Sequence, residues 1–369
     1  MRKSAPKGSP GLRSVDGAAL LNADCAAPRC EYLWPPPRNI QPLLRSLLAD
    51  PRDEPLLWSL LNVALVPPCA LLLFAYWPRS HLAGLLYFAA TYVTFLQRFV
   101  LALHCSQHRR LFRRGMLGDC LNRLPAVLCP FFGLPPGAYR LHHVVMHHSE
   151  GNAGEMLRDL SSTEGYQRDS VLACLLYVTR FAVFTSLELP VYGLLRARRP
   201  GAALSVLAGV LCSASAFRWL LEHAPAAATW ACAVPFVVTQ LALAFGNWSQ
   251  HVFLNPSCPR MPHGMTYTCL NHGDNQRTFN DGYHVEHHRD SRSHWSALPM
   301  TFMDNLGAHA AGDALAFQGV HFFDVGMAVL CGRLEWLAAR YVQLGQPQRS
   351  KEELVAELRR RLAPIRVVS

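Results

Sequence analysis

The chain has 369 residues, of which 51% are apolar and 16% are charged, and its formal net charge is +10. Because an average soluble domain carries about 25% charged residues, this composition favours a protein in contact with lipid. The arginines flank apolar runs and form no basic stripe with interleaved aromatic residues, so the positive charge indicates a membrane surface rather than a nucleic acid.

The first 50 residues are rich in proline, alanine, arginine and serine. They lack an apolar run long enough for a signal peptide. A segment of this composition buries little apolar surface, so we expect residues 1–50 to be disordered. The membrane domain is then predicted to cover residues 51–300.

Long apolar runs follow, and a helix that crosses a bilayer needs about 20 mostly apolar residues. The run at 124–138 is short and contains four prolines, so it is not expected to span. The run at 171–195 contains Arg180 and Glu188 and is followed by a basic turn at 196–199. We predict that it is interfacial or a non-spanning helical pair. The four predicted spans cover residues 56–77, 82–103, 202–221 and 226–245.

The C-terminal segment, residues 301–369, is less apolar and is predicted to be a cytosolic helical extension. Within it, Leu354, Leu358 and Leu362 lie on one stripe of an amphipathic helix over 351–362. The sequence therefore predicts an all-α integral membrane protein. It has four transmembrane helices, interfacial helices and a cytosolic helical cap, with both termini in the cytosol.

Histidines recur at helical spacing near the predicted cytosolic ends of the spans. His104 and His108 are four residues apart, which places both imidazoles on one helix face. Three further motifs follow, which are His142-His143-x3-His147-His148, Asn247-x3-His251 and His284-x2-His287-His288. In the first of these three, either His142 or His143 can converge with the two histidines at its end.

The number of these histidines indicates more than one metal ion. Imidazole binds zinc, copper, iron and nickel, so the ligand type alone does not identify the metal. A zinc site is complete with three or four protein ligands, whereas nine candidate histidines are enough for two ions. A nitrogen-rich site for two metals at a membrane face suits oxygen activation on an apolar substrate.

The order HxxxH, HxxxHH, NxxxH and HxxHH resembles the histidine boxes of the membrane fatty acid desaturases. Residues 282–288, followed by His294-Trp295 and Leu298-Pro299, are similar to the third-box region of that family, and the resemblance covers about residues 56–299. It implies O₂-dependent, di-iron desaturation of a fatty acyl chain in an acyl lipid or acyl-CoA. It also implies two irons with Asn247 as a ligand through water and, as direct ligands, His104, His108, His143, His147, His148, His251, His284, His287 and His288.

Carboxylates that flank the boxes are expected to orient the imidazoles. Asp159, Asp281 and Glu286 are the candidates, together with His142 if His143 is the ligand. Glu286 lies inside the third box, although in a regular helix its phase turns it away from His284.

An electron donor is implied as well, because the chain contains neither a His-Pro-Gly-Gly haem motif nor a glycine-rich dinucleotide fingerprint. A separate cytochrome b5 or ferredoxin is expected, and the arginines at 109–114 either dock it or face lipid headgroups. We expect the protein in the endoplasmic reticulum membrane, with a plastid membrane as the alternative.

Two other kinds of function are compatible with the sequence. A hydroxylase or a carotenoid ketolase of the same fold resembles this ligand pattern. A histidine-rich metal transporter or a zinc hydrolase is the other class. A transporter would need ionisable residues inside its spans, and the runs at 56–77, 202–217 and 226–245 contain almost none.

Overall fold

The computed structural model describes residues 24–25, 34–345 and 348–365. Most of the segment predicted to be disordered lies outside the described residues. Its last part, 34–50, is described and contains a short helix where we expected disorder. Leu48 forms an antiparallel bridge with Phe112, which attaches this part to the membrane domain.

The described residues are mostly helical. Two three-residue strands, β1 (Thr268–Leu270) and β2 (Ala316–Gln318), pair in parallel. Two π-helices cover Arg140–His147 and Ala228–Ala233. The 3₁₀ turns are Pro51–Asp53, Cys129–Phe132 and Trp295–Ala297. The α-helices are α1 (Gln41–Ser46), α2 (Glu54–Val63), α3 (Val66–Tyr76), α4 (His81–His108), α5 (Met116–Leu121), α6 (Leu124–Leu128), α7 (His148–Glu150), α8 (Val171–Leu195), α9 (Pro200–His223), α10 (Pro225–Ala227), α11 (Val234–Gln250), α12 (Pro262–Met265), α13 (His284–Arg289), α14 (Leu298–Asp304), α15 (Leu306–Ala311), α16 (Phe322–Leu330), α17 (Leu334–Ala338) and α18 (Lys351–Arg360).

Four helical stretches in the described residues are long and apolar enough to cross a membrane, which confirms the predicted number. A fifth arises only if α8 counts as one span, but α8 bends by 71° between its halves. The bend agrees with the predicted helical pair. The position of α8 at the membrane interface stays a prediction. The four stretches are Pro51–Tyr76, His81–His108, Pro200–His223 and Pro225–Gln250.

The four stretches form two hairpins that turn at the same end of the molecule. The backbone N–H of Ala226 in the second turn donates to the carbonyl of Pro78 in the first, at 3.0 Å. Midway along the helices, the hydroxyls of Tyr92 on α4 and Thr239 on α11 are hydrogen-bonded at 3.0 Å. The C-terminal ends of α4 and α11 therefore lie together at the opposite end, where the histidine motifs are.

A cap of short elements covers that end. The buried guanidinium of Arg168 donates to the carbonyls of Val252 at 3.0 Å and of Arg361 at 3.0 Å. It thereby joins the loop before α8 to the residues after α11 and to the C-terminal helix. The predicted amphipathic helix is present as α18, and it buries Leu354 and Leu358.

Candidate metal centre

The predicted histidine boxes converge at one end of the two hairpins. The first box forms the last turns of α4, and the second lies on the π-helix and the start of α7. His251 follows the last residue of α11, and the third box lies on α13. Four separate segments thus bring their imidazoles to one place.

Ring nitrogens of these histidines form two groups, and within each group they all lie within 4.8 Å of one another. The second and third boxes each contribute one histidine to the first group and another to the second. The first group is His104, His108, His143 and His287, and the second is His147, His251 and His288.

The π-helix explains how the second box divides. In a π-helix the backbone bonds run from residue i to i+5, so residues five apart lie on the same side. The Nε2 atoms of His143 and His148 are accordingly 3.2 Å apart, while His147 is directed to the second group. From α-helical spacing we expected His143, His147 and His148 to meet at one site. The wider turn of the π-helix instead places His143 and His147 in different groups.

Two of the nine predicted ligands lie beside the groups rather than inside them. The Nε2 atom of His148 is 3.0 Å from that of His287 in the first group, and its ring stacks on His288 of the second at 4.5 Å. The Nε2 atom of His284 is 3.2 Å from that of His288. The nine predicted ligands are therefore the seven histidines of the two groups and two histidines that contact those groups.

The structure distinguishes the two adjacent histidines of the second box. His143 is a member of the first group, whereas His142 belongs to neither group found in the described residues. The ring of His142 packs edge-on against Phe181 at 5.4 Å. His143 is therefore the member of this pair that lies among the converging nitrogens, and the Nε2 atom of His142 is likewise buried without a hydrogen-bond partner among the described residues.

Hydrogen bonds fix which nitrogen of two imidazoles faces the second group. The Nδ1–H of His147 donates to the Oδ2 atom of Asp159 at 2.7 Å, and the Nδ1–H of His251 donates to the carbonyl of Met265 at 2.9 Å. Each bond leaves the Nε2 lone pair free, as in metal sites where a carboxylate or carbonyl orients the ligand. Asp159 is itself held by Ser161, whose N–H and hydroxyl donate to Oδ1 at 2.9 and 2.6 Å.

Two imidazole nitrogens at this site lack the partner that a bound cation would supply. The Nε2 atoms of His108 and His251 are buried and have no hydrogen-bond partner among the described residues. Buried polar atoms in native proteins are nearly always paired, so such atoms indicate a missing partner. Because each lies in a group of converging imidazole nitrogens, a metal ion is the partner that fits.

The other predicted supporting residues are placed differently. Glu286 contacts His309 and Asn305 rather than any described imidazole of the boxes, because its side chain leaves α13 on the other side. Asp281 accepts a hydrogen bond from Gln250 at 3.1 Å and lies 3.8 Å from the Nδ1 atom of His284.

Asn247 stands four residues before His251 of the second group, and its amide nitrogen contacts residues other than the histidines. Its Nδ2 atom donates to the hydroxyl of Tyr177 at 2.7 Å and to the carbonyl of Ser161 at 2.8 Å. Since Ser161 also holds Asp159, these bonds connect Asn247 to the support of His147. Its contact with a metal through water stays a prediction.

Tyr139 is a functional candidate that the sequence analysis missed. Its hydroxyl lies 3.3 Å from the Nδ1 atom of His104, and its ring stacks on His143 at 5.2 Å. It stands four residues before His143, about one helical turn, which is the only signal that the sequence offers. A lone tyrosine at such spacing is common in helices, so the signal is weak.

Burial favours the neutral form of four of the imidazoles, His143, His251, His287 and His288. Burial and neighbouring imidazoles hold the pKa values of His143, His287 and His288 well below the usual range. Burial lowers the pKa of His251 to about 3. A neutral imidazole offers a lone pair to a metal, so these shifts favour coordination.

The pKa values of two nearby carboxylates are shifted in opposite directions. Burial raises the pKa of Asp281 to about 7. Burial also acts to raise the pKa of Asp159, but the imidazole of His147 and its hydrogen bond outweigh it and hold that pKa below the usual range. Asp159 is therefore ionised at neutral pH and can act as the acceptor for His147.

A cavity of about 280 Å³ extends from the imidazoles between α4, α8, α11 and α16. Most of its wall is apolar. The polar part of the lining includes His104, His142, His143 and His147, together with Asn247. The apolar wall includes Leu96, Val100, Phe181, Leu243, Phe322 and Phe323.

Comparison with known proteins gives one match. The family model described as Fatty acid desaturase matches residues 79–316, which is more than half of the chain. The matched region contains all four histidine motifs and begins after the first candidate span. No curated protein and no solved structure matches the chain.

Proposed function

The chain belongs to the fatty acid desaturase family and is an oxidoreductase of that family in a membrane, and from this premise we propose that it catalyses the O₂-dependent, di-iron desaturation of a fatty acyl chain. The observation that carries the proposal is the pair of imidazole groups, to which the second and third boxes both contribute. Seven to nine imidazole nitrogens exceed the three or four ligands that one zinc ion takes.

The proposed ligands follow from the two groups. His104, His108, His143 and His287 would hold one iron, and His147, His251 and His288 would hold the other. His148 and His284 would complete the centre from beside them, and Asn247 would contact it through water. When bound, the iron pair supplies the redox chemistry with O₂ that an unactivated methylene group requires.

The protein's own residues orient the ligands and control their protonation. Asp159 and the carbonyl of Met265 fix the Nδ1 protons of His147 and His251. Because hydrogen bonds to the outer nitrogen raise the basicity of the ligand, these contacts strengthen coordination. The hydroxyl of Tyr139 either accepts a hydrogen bond from the Nδ1–H of His104 or donates one to its Nδ1 lone pair, according to the tautomer.

The cavity is the proposed site for the acyl chain. Its volume of about 280 Å³ lies just below the roughly 300–1,000 Å³ of most small-molecule sites, so it accommodates a segment of a chain. The apolar wall places that segment against His104, His143 and His147 and excludes water from it. The balanced reaction converts two adjacent CH₂ groups, O₂, two electrons and two protons into a CH=CH unit and two waters.

The two electrons require a separate donor, for which we propose cytochrome b5 or a ferredoxin. Arginines follow the first box directly, at the end of α4. Arg109 pairs with Asp50 and Arg110 with Asp119. Arg113 and Arg114 are exposed and have no acidic partner among the described residues, although the Nε–H of Arg113 donates to the carbonyl of Leu48. These two exposed cations lie close in sequence to His108 and are the proposed contact for an acidic donor surface.

The location that we propose is the endoplasmic reticulum membrane, with the metal centre on the cytosolic side. The two hairpins turn at the end away from the histidines, which supports a single face for all of the boxes. A plastid membrane, with a ferredoxin as the donor, is the alternative.

The experiment is expression in a host of known lipid composition, followed by mass spectrometry of the acyl chains. We expect a new product that is lighter by two hydrogens and contains no added oxygen. An alcohol would indicate a hydroxylase and a ketone a ketolase, and either product would contradict the desaturase proposal.

His287→Ala is the inactive control for that experiment, because it removes a member of the first group. His81→Ala is the matched control, since His81 is exposed and lies at the opposite end of α4. We expect His81→Ala to keep its activity and His287→Ala to lose it while still being inserted. A fully active His287→Ala variant would remove His287 from the ligand set.

A further inference from the structure

The short helix α13 carries all three histidines of the third box. It has six residues, and isolated helices of fewer than about 12–15 residues are marginal in water. Its position must therefore come from contacts with the rest of the protein. Because it supplies His287 to one group and His288 to the other, that position affects both groups.

Glu286 makes such a contact from the same helix. Its side chain is 1% exposed, and its Oε1 and Oε2 atoms accept hydrogen bonds from the Nε2–H of His309 at 2.6 Å and from the Nδ2–H of Asn305 at 2.9 Å. A carboxylate buried to this extent is costly unless it is paired. Glu286 is therefore constrained to point at these two partners.

His309 is equally constrained. It lies on α15, its side chain is 2% exposed, and its ring packs on Phe302 of α14 at 4.7 Å. Neither α14 nor α15 contributes a histidine to the two groups. The contact thus ties the metal-facing helix to a part of the cap behind it.

The rotation of α13 about its axis is what this contact controls. Successive residues of an α-helix point about 100° apart, so His287 and His288 leave α13 in different directions. A rotation that brings one closer to its group moves the other away. Both can be correctly placed at only one rotation, and Glu286, on the side facing His309, is positioned to set it.

We propose that Glu286 and His309 form a buried brace that fixes the rotation of α13 and thereby positions His287 and His288 for metal binding. Both are positioning residues, since neither reaches the imidazole groups. The inference rests on the proposed function for the identity of the bound ions. Asn305 contributes the second hydrogen bond to Glu286 and belongs to the same brace.

The test compares two substitutions of similar size in the full-length protein. His309→Gln keeps an N–H that can donate to Glu286, whereas His309→Met fills similar volume without a donor. Asp304→Ala, at an exposed position on α14, is the matched control. The measurements are iron per chain, iron retention against a chelator, the Mössbauer spectrum of the ⁵⁷Fe-loaded protein and the thermal midpoint.

We expect His309→Met to lower iron affinity by about 10- to 100-fold, as removal of supporting contacts does at other metal sites, and to alter the spectrum of both irons. His309→Gln should restore most of the affinity and the wild-type spectrum. A His309→Met variant with wild-type iron retention and spectrum would overturn the brace, and so would a His309→Gln variant as impaired as the Met variant. Wild-type protein without an iron pair would instead contradict the proposed function itself.

Discussion

Replacement of Asp159 by asparagine probes the support of the second imidazole group. The side chains of His147 and Asp159 are 2% and 0% exposed, and the Nδ1 to Oδ2 distance is 2.7 Å. Asparagine has nearly the same shape but no charge. If its oxygen accepts from His147, its NH₂ group faces the N–H of Ser161, and if it is flipped the NH₂ faces His147. Either orientation loses one hydrogen bond to the former carboxylate.

The magnitude follows from that loss. A buried hydrogen bond to a charged group contributes about 1.5–3 kcal/mol. Removal of a partner that orients a metal ligand costs about 10- to 100-fold in metal affinity, or roughly 1.4–2.7 kcal/mol. The two estimates agree, so we expect Asp159→Asn to lower the affinity of the second group for iron by about one to two orders of magnitude. His147 belongs to the second group only, so that iron should be lost first.

The assay is iron content after equilibration with chelators of increasing strength, measured on purified protein. Asp290→Asn is the control, because Asp290 is an exposed carboxylate just after the third box. The wild type and the control should keep two irons under conditions in which Asp159→Asn keeps one. Equal retention by all three proteins would refute the role assigned to Asp159.

Two further predictions concern the second box and pH. His143→Ala should bind fewer than two irons per chain whereas His142→Ala should bind two, and equal loss in an iron analysis would contradict the placement of His143 in the first group. The metal-free protein should lose stability as pH falls below about 6.5, because burial lowers the folded pKa values of His143, His287 and His288, so that the unfolded chain binds more protons. Asp281, with its pKa raised to about 7, acts in the opposite direction and stabilises the fold at low pH, but it is one group against several imidazoles. Denaturant unfolding of metal-free protein at pH 7.5 and pH 5 measures the difference, and equal stability at both values would contradict the neutral burial of the imidazoles.

The sequence by itself determined the family, the number of candidate spans and the segments that carry the histidines. The resemblance to the desaturases is confirmed by the family match over residues 79–316. These features are local. A run of about 20 apolar residues is recognisable without knowing its neighbours, and box spacing is written in consecutive residues. Arg180, Glu188 and the basic turn that follows left residues 171–195 as either an interfacial segment or a non-spanning helical pair, and the bend of α8 agrees with the pair.

Only the tertiary structure decided how the histidines divide between two groups. The sequence left His142 and His143 as alternatives and suggested Glu286 as a partner for a box imidazole. A π-helix changes the angle between successive side chains, and no feature of residues 140–147 indicated one. The partner of Glu286 lies 23 residues away on α15, so that contact depends on how separate helices pack and not on spacing along the chain.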